Sequence, residues 1–166
     1  MKTWAIDLAK EAFKFSAAHF LIFPDGTAER LHGHNYRVFV SLESELSQHG
    51  LVIDFKMIKP LVKDMVDALD EYWLLPGEHP VLAVRDIGNG NSEVTYMERR
   101  YQAPTNEIIV LPVNNTSVEN LAGYLVDDLQ RRFAERFPDV PLLSLRVAVE
   151  ETSGQRGACT WRKSGD

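Results

Sequence analysis

The chain of 166 residues has a single cysteine, Cys159. A lone thiol cannot build an internal disulfide framework and suits a reducing compartment. Long hydrophobic runs are missing as well. Stretches such as Ile108-Ile109-Val110-Leu111 last only a few residues, well short of the roughly 20 needed for a spanning helix. The opening Met1-Lys2-Thr3-Trp4-Ala5-Ile6-Asp7 meets charge too early for a secretory signal, so the expected location is cytoplasmic, with no membrane partner. Basic excess is absent: 18 Lys plus Arg stand against 24 Asp plus Glu, a net charge of -6, with no dense basic run. That balance argues against a nucleic-acid partner. Repeats and low-complexity linkers are lacking too, and 45% hydrophobic residues with 10 Gly and 8 Pro is ordinary for a globular protein. A chain of this length buries roughly 70% of its unfolded surface, so a single domain over residues 1–166 is expected.

What is present is patterned. Phe13, Phe15, Ala17 and His19 alternate with Lys14 and Ser16, as one face of a strand requires. After a turn at Pro24-Asp25-Gly26, His34, Tyr36, Val38, Val40 and Leu42 share a second such face, with Arg37 and Ser41 opposite. The two segments are expected to be antiparallel neighbours. Beyond Gly50 the period changes: Asp54 can cap a helix carrying Ile58, Leu61, Val62, Met65, Val66 and Leu69, with Pro60 about one turn in. Thr116-Ser117-Val118-Glu119 has the form of a capping box, opening a second helix that runs to about Phe137 and stops at Pro138. The stretch from about Pro76 to Asn106 reads as loops and short strands, punctuated by Gly and Asn, and has no evident role. Leu143, Leu145, Val147, Val149 and Glu151 alternate in a last strand. This order predicts an α+β fold, an antiparallel β-sheet with two helices packed on one face.

Three of the five histidines sit in these patterns. His32-Gly33-His34 places two rings on one side of a strand, and His19 ends the apolar face of its neighbour. Three imidazoles with an open fourth position make a catalytic rather than a structural zinc site. Spacing by itself favours the plainer alternative, a hydrogen-bonded pair of sheet histidines. His49 and His79 lie in turn-like contexts and are expected to be solvated.

Phe15-Ser16-Ala17-Ala18-His19 and Leu31-His32-Gly33-His34-Asn35-Tyr36 resemble the metal motifs of the 6-pyruvoyltetrahydropterin and 6-carboxytetrahydropterin synthase family. In the same order follow Ile53-Asp54-Phe55, Leu69-Asp70, Ser117-Val118-Glu119-Asn120-Leu121-Ala122 and Glu151-Thr152, each similar to a family segment. The resemblance implies a tunnelling fold (T-fold), in which sheets of several subunits close a β-barrel. It also implies a homohexamer built as a dimer of trimers, with active sites at subunit interfaces. By resemblance His19, His32 and His34 hold Zn2+, leaving a position for the side-chain oxygens of a 7,8-dihydropterin, a small-molecule substrate. Glu151, with Thr152, stands where the family anchors the pterin, and Ser117 where a Thr usually lies near it. From the pattern alone, Glu151 either meets such a partner or, like Glu150, lies in water beyond the strand. Ser117 and Asp54 are also good helix caps.

The chain departs from the family at its acid–base set. The position of the usual catalytic Cys holds Ala28, and the His that normally follows the Asp matching Asp70 is replaced by Glu71. Cys159 does not match the catalytic Cys and reads as a small buried apolar residue. Glu29, three residues before His32, resembles a subgroup in which a Glu takes over from Cys. That subgroup cleaves dihydroneopterin to 6-hydroxymethyl-7,8-dihydropterin by a retro-aldol step. Glu29 can equally be a solvated loop residue, and Glu71, beside Asp70, can be the acid–base group instead. The expected function is a zinc-dependent lyase acting on dihydroneopterin or its phosphate. The alternatives are synthase chemistry on dihydroneopterin triphosphate and a zinc- and pterin-binding protein with altered catalysis.

Overall fold

A 13-residue strand, β3 (His32–Ser44), is the axis of the fold. In the computed structural model, which describes residues 2–164, β3 pairs along one edge with β9 (Leu142–Thr152). Its other edge is shared by β1 (Trp4–Leu8) and β2 (Lys14–His19). All three pairings are antiparallel. β9 continues through a tight turn into β10 (Gln155–Arg162), which forms one border of the sheet. On the far side of β2 come β4 (Tyr72–Pro76) and β8 (Ile108–Leu111), both joined in parallel. The seven-stranded sheet is therefore mixed rather than purely antiparallel.

The predicted apolar faces are the buried ones. Phe13, Phe15 and Ala17 of β2, Tyr36, Val38, Val40 and Leu42 of β3, and Leu145, Val147 and Val149 of β9 lie in one core. Two helices cover it. α1 (Phe55–Asp67) contributes Ile58, Val62, Met65 and Val66, and α2 (Val118–Arg136) contributes Leu121, Leu125, Leu129 and Phe133. These spacings of three and four residues turn one stripe of each helix to the sheet. Asp54 caps α1 as expected, accepting the Lys56 amide. The second cap is one residue later than the Thr116 capping box predicts: Ser117 is the N-cap and accepts the Asn120 amide. Thr116 is buried, and its hydroxyl donates to the Phe20 carbonyl at 3.2 Å, so it is committed to β2 rather than to the helix.

The stretch between the helices holds the expected short strands, and they assemble into a sheet of their own. β5 (Ala83–Gly88), β6 (Asn91–Tyr96) and β7 (Arg99–Pro104) form a separate antiparallel sheet, followed by a single 3-10 turn at Thr105–Glu107. Asn89-Gly90, both at positive φ, make the first hairpin turn, a geometry matched to the twist of the flanking strands. A second core of Phe20, Ile22, Trp73, Leu75, Val94 and Tyr96 ties this small sheet to the ends of β2 and β4. Among the described residues, no helix is long and apolar enough to cross a membrane.

Candidate metal centre and active site

The register of β2 on β3 brings the three histidines to one point. His19 lies opposite His32, and Ala17 opposite His34, so alternation turns all three rings to the face that carries Phe15 and Tyr36. One nitrogen from each falls within 4.8 Å of the others. His32 Nε2 and His34 Nε2 are 3.0 Å apart. Among the described residues, this is the one group of three or more His, Cys, Asp or Glu side chains that converges so closely.

Backbone carbonyls set the tautomers. His19 Nδ1 is 3.1 Å from the Thr116 carbonyl, and His32 Nδ1 is 2.7 Å from that of Arg30. A carbonyl only accepts, so each Nδ1 carries the proton and each Nε2 keeps its lone pair. His19 Nε2 is buried without a hydrogen-bond partner, an arrangement that costs about 1–3 kcal/mol unless something binds there. Burial pushes the His19 imidazole down to about pH 4, although the Thr116 carbonyl opposes the shift and His32 and His34 add to it. The ring is thus neutral at physiological pH. His19 and His32, oriented through Nδ1 by backbone carbonyls and presenting Nε2, together with His34 Nε2 beside them, supply the nitrogen donor set of a divalent zinc site. The residues fit the ion.

Two half-buried carboxylates flank the trio. Glu29 Oε2 lies 3.8 Å from His32 Nε2 and accepts the Leu21 amide at 3.0 Å. It is an inward-facing residue rather than a solvated one. Glu151 Oε2 lies 3.9 Å from His34 Nε2. Glu150, expected in water, is buried instead, 2.9 Å from Arg156 Nη2 and 3.8 Å from Arg37 Nη1, on the other face of β9. The two arginine side chains enclose it on that face, which simple alternation does not anticipate. His79 is half-buried, and its Nδ1 accepts the Val81 and Leu82 amides. Cys159 is half-buried beside the main core.

The remaining predicted residues stand apart from the trio within one chain. Asp70 Oδ1 accepts the Ser16 amide at 2.7 Å, and the Glu71 amide donates to the Ser16 carbonyl at 2.7 Å. Glu71 has a φ of 65°, an uncommon backbone conformation for a residue with a side chain. It lines a cavity of about 430 Å³ with Ser16, Gly33, His34, Asn35, Trp73 and Glu107. Ser16, Gly33 and Asn35 alternate with the ligand positions, while His34 is itself a ligand position, so the cavity runs along β2 and β3 beside the trio. Ser117 is occupied as the cap of α2, and exposed Thr152 donates to Gln155 Oε1 at 2.8 Å. Ala28, at the Cys position, is half-buried.

Two participants carried no distinct sequence signal. Thr116 supplies its carbonyl from 97 residues away. Tyr36 lies two past His34 in the alternating face, and its buried hydroxyl lacks a partner beside the rings of His19 and His34. Burial, and then the Glu151 and Glu29 carboxylates, raise that phenol well above its ordinary range, leaving a neutral donor.

The chain matches the family model for 6-pyruvoyl tetrahydropterin synthase over residues 8–161. A protein of Methanocaldococcus jannaschii, named provisionally as a 6-carboxy-5,6,7,8-tetrahydropterin synthase, is 34% identical over 150 residues, 88% of each chain. The 6-carboxy-5,6,7,8-tetrahydropterin synthase of Haemophilus influenzae is 36% identical over 72 residues, 40% of this chain and 50% of that one. The crystal structure of 6-pyruvoyl tetrahydropterin synthase from Plasmodium vivax superposes with a TM-score of 0.91 at 26% identity, covering 98% of this chain and 100% of that one. A catalytic-residue variant of that enzyme, with Ala in place of a Glu, superposes equally well. With the fold, the histidine trio and these likenesses in agreement, the chain belongs to the 6-pyruvoyl tetrahydropterin synthase family.

Proposed function

We propose that the protein is a zinc-dependent lyase that cleaves the side chain of 7,8-dihydroneopterin, or its phosphate, to 6-hydroxymethyl-7,8-dihydropterin. The observation that carries this reading is the Glu29 carboxylate, turned inward 3.8 Å from His32 Nε2, beside an alanine where the family usually has its cysteine. The Plasmodium vivax enzyme, which has a glutamate as a catalytic residue, supports it.

His19, His32 and His34 would hold Zn2+, which supplies Lewis-acid polarisation of an oxygen on the substrate side chain. Glu29 acts as the base. It takes the proton of the 2′-hydroxyl, C2′ becomes the carbonyl of departing glycolaldehyde, and the C1′–C2′ electron pair passes into the dihydropterin. The proton returned to C1′ completes the hydroxymethyl group, so nothing is oxidised or reduced. Glu151 offers two oxygens to the 2-amino and N3–H edge of the pterin, a parallel pair of charge-assisted hydrogen bonds. Ser117 and Thr152 border the pterin by resemblance. The Tyr36 hydroxyl donates within the same site. Among the described residues Asp70 and Glu71 make no hydrogen bond or ion pair with the trio, being tied to Ser16 instead, so they act at the site of an adjoining copy, in keeping with interface active sites.

A second reading, synthase chemistry on dihydroneopterin triphosphate, is favoured by the names of the curated relatives. One experiment separates them: zinc-loaded protein is incubated with dihydroneopterin and with its triphosphate, and the products are resolved by mass. Hydroxymethyl-dihydropterin with glycolaldehyde is expected. Release of triphosphate, or a carboxy-pterin, establishes the second reading, and binding without turnover rejects both.

A further inference from the structure

We infer that Arg99 and Tyr96, carried by the small sheet, are positioning residues that hold the Gly26–Glu29 segment and so aim the Glu29 carboxylate at the metal centre. The inference rests on Glu29 being the base and gives the small sheet its task.

Tyr96 ends β6 and Arg99 opens β7, paired across a two-residue turn, so their side chains leave the sheet together. Arg99 donates through Nη2 to the Ala28 carbonyl at 2.7 Å and through Nη1 to the Glu29 carbonyl. The Tyr96 hydroxyl donates to the Gly26 carbonyl at 2.8 Å. The intervening Thr27 carbonyl accepts the Phe23 amide at 2.8 Å. All four successive carbonyls of this segment are therefore engaged, three of them by the small sheet.

The planar guanidinium fixes two neighbouring peptide units at once, which a lysine ammonium does not do. The Glu29 Cα joins those two units, and its carboxylate is then held at its far end by the Leu21 amide. Leu21 lies two residues beyond the metal-site histidine His19. The support beneath is rigid: Phe20 packs on Tyr96 and Tyr101, and Trp73 packs on Tyr101. A Glu on a surface hairpin would otherwise wander by more than the roughly 1 Å that can cost 100-fold in rate. Arg99 binds only backbone in this arrangement and takes no part in the chemistry.

The test uses the zinc-loaded full chain with Arg99→Ala, Arg99→Lys and Tyr96→Phe. The Leu21 amide reports on Glu29 directly, because it donates to that carboxylate. In Arg99→Ala its hydrogen exchange is expected to quicken about 10- to 100-fold, while zinc stoichiometry and exchange in α2 stay as in the parent. Arg99→Lys and Tyr96→Phe are expected to show smaller increases, and they decide the matter should the alanine variant not fold. On dihydroneopterin, Arg99→Ala should lower kcat about 100-fold with little change in KM. The same substitution should add no further loss in a Glu29→Gln background. Unchanged Leu21 exchange in Arg99→Ala, or an undiminished further loss in the Glu29→Gln background, overturns the inference. Absence of turnover by the parent overturns the proposed function instead, and the Leu21 exchange still decides whether the clamp exists.

Discussion

His19 shows how a single residue couples fold to chemistry. Its burial leaves Nε2 without a protein partner, and the Thr116 carbonyl directs that nitrogen's lone pair inward. Replacing His19, His32 or His34 by Ala is expected to reduce zinc from one ion per chain to a trace, measured by elemental analysis after dialysis. The zinc-free protein should also be acid-labile in a defined window. His19 holds a folded pKa of about 4 below the ordinary 6.5, so the unfolded chain takes the proton first. Stability from this residue is intact above about pH 6.5 and is lost as the pH falls through 4, amounting to about 3 kcal/mol. Urea denaturation of chelator-treated protein across that range checks it, and His19→Gln should remove the slope. Glu151→Gln should weaken pterin binding by about 10-fold or more while sparing zinc, as titration calorimetry would show. A wild-type affinity in that variant excludes the anchoring role. Alternation set the three histidines on facing strand positions, but spacing alone favoured plain sheet histidines, and only the resemblance to the family marked them as a metal trio. The burial of His19 was not legible in the sequence, because its carbonyl partner arrives from the other end of the chain.

At the scale of elements, the approach of β10 to α2 is tight. A Cβ at Gly157 would meet the Glu119 amide nitrogen at 2.8 Å and the Val118 carbonyl carbon at 3.0 Å. Backbone cannot yield there as a flexible side chain would, so Gly157→Ala is expected to destabilise by about 1–3 kcal/mol. Ser117→Ala, which removes the α2 cap, should cost about 1 kcal/mol in the same denaturation experiment. Periodicity gave both helices and the two central strands nearly to their ends. It missed β1 (Trp4–Leu8), which is short and largely exposed, so no clean alternation marks it. It also shifted the second cap by one residue. Thr116 and Ser117 are chemically equivalent caps, and only the contact of Thr116 with Phe20 decides between them.

Across the whole molecule, the helices cover one face of the large sheet and leave the other bare. Lys14, Arg37, Arg146, Arg156 and Arg162 are exposed on that face, beside Asp7 and Glu43, with Arg37 and Arg156 paired to Glu150. Closure of this sheet with those of other copies, as the family likeness implies, would turn that face into the wall of a barrel. Light scattering is expected to give a hexamer. Mixed assembly of Glu29→Gln chains with Asp70→Asn, Glu71→Gln chains should recover activity that neither has alone, since each supplies what the other lacks. Inactive mixtures would place all the chemistry within single chains.

By itself the amino-acid sequence determined the α+β order, the paired strands with their three histidines, and the departures at Ala28, Glu29 and Glu71. The order and the paired strands are local properties set by side-chain period, and the departures were read from the resemblance of the motifs to the family's. Only the tertiary structure decided which carbonyls orient the imidazoles, that Glu29 faces His32, and that Asp70 and Glu71 are tied to Ser16 at the edge of β2. Each depends on a contact between residues far apart in the chain, such as Arg99 with Glu29 or Thr116 with His19. Spacing along a strand says which face a side chain takes, but not what another part of the chain will bring to meet it.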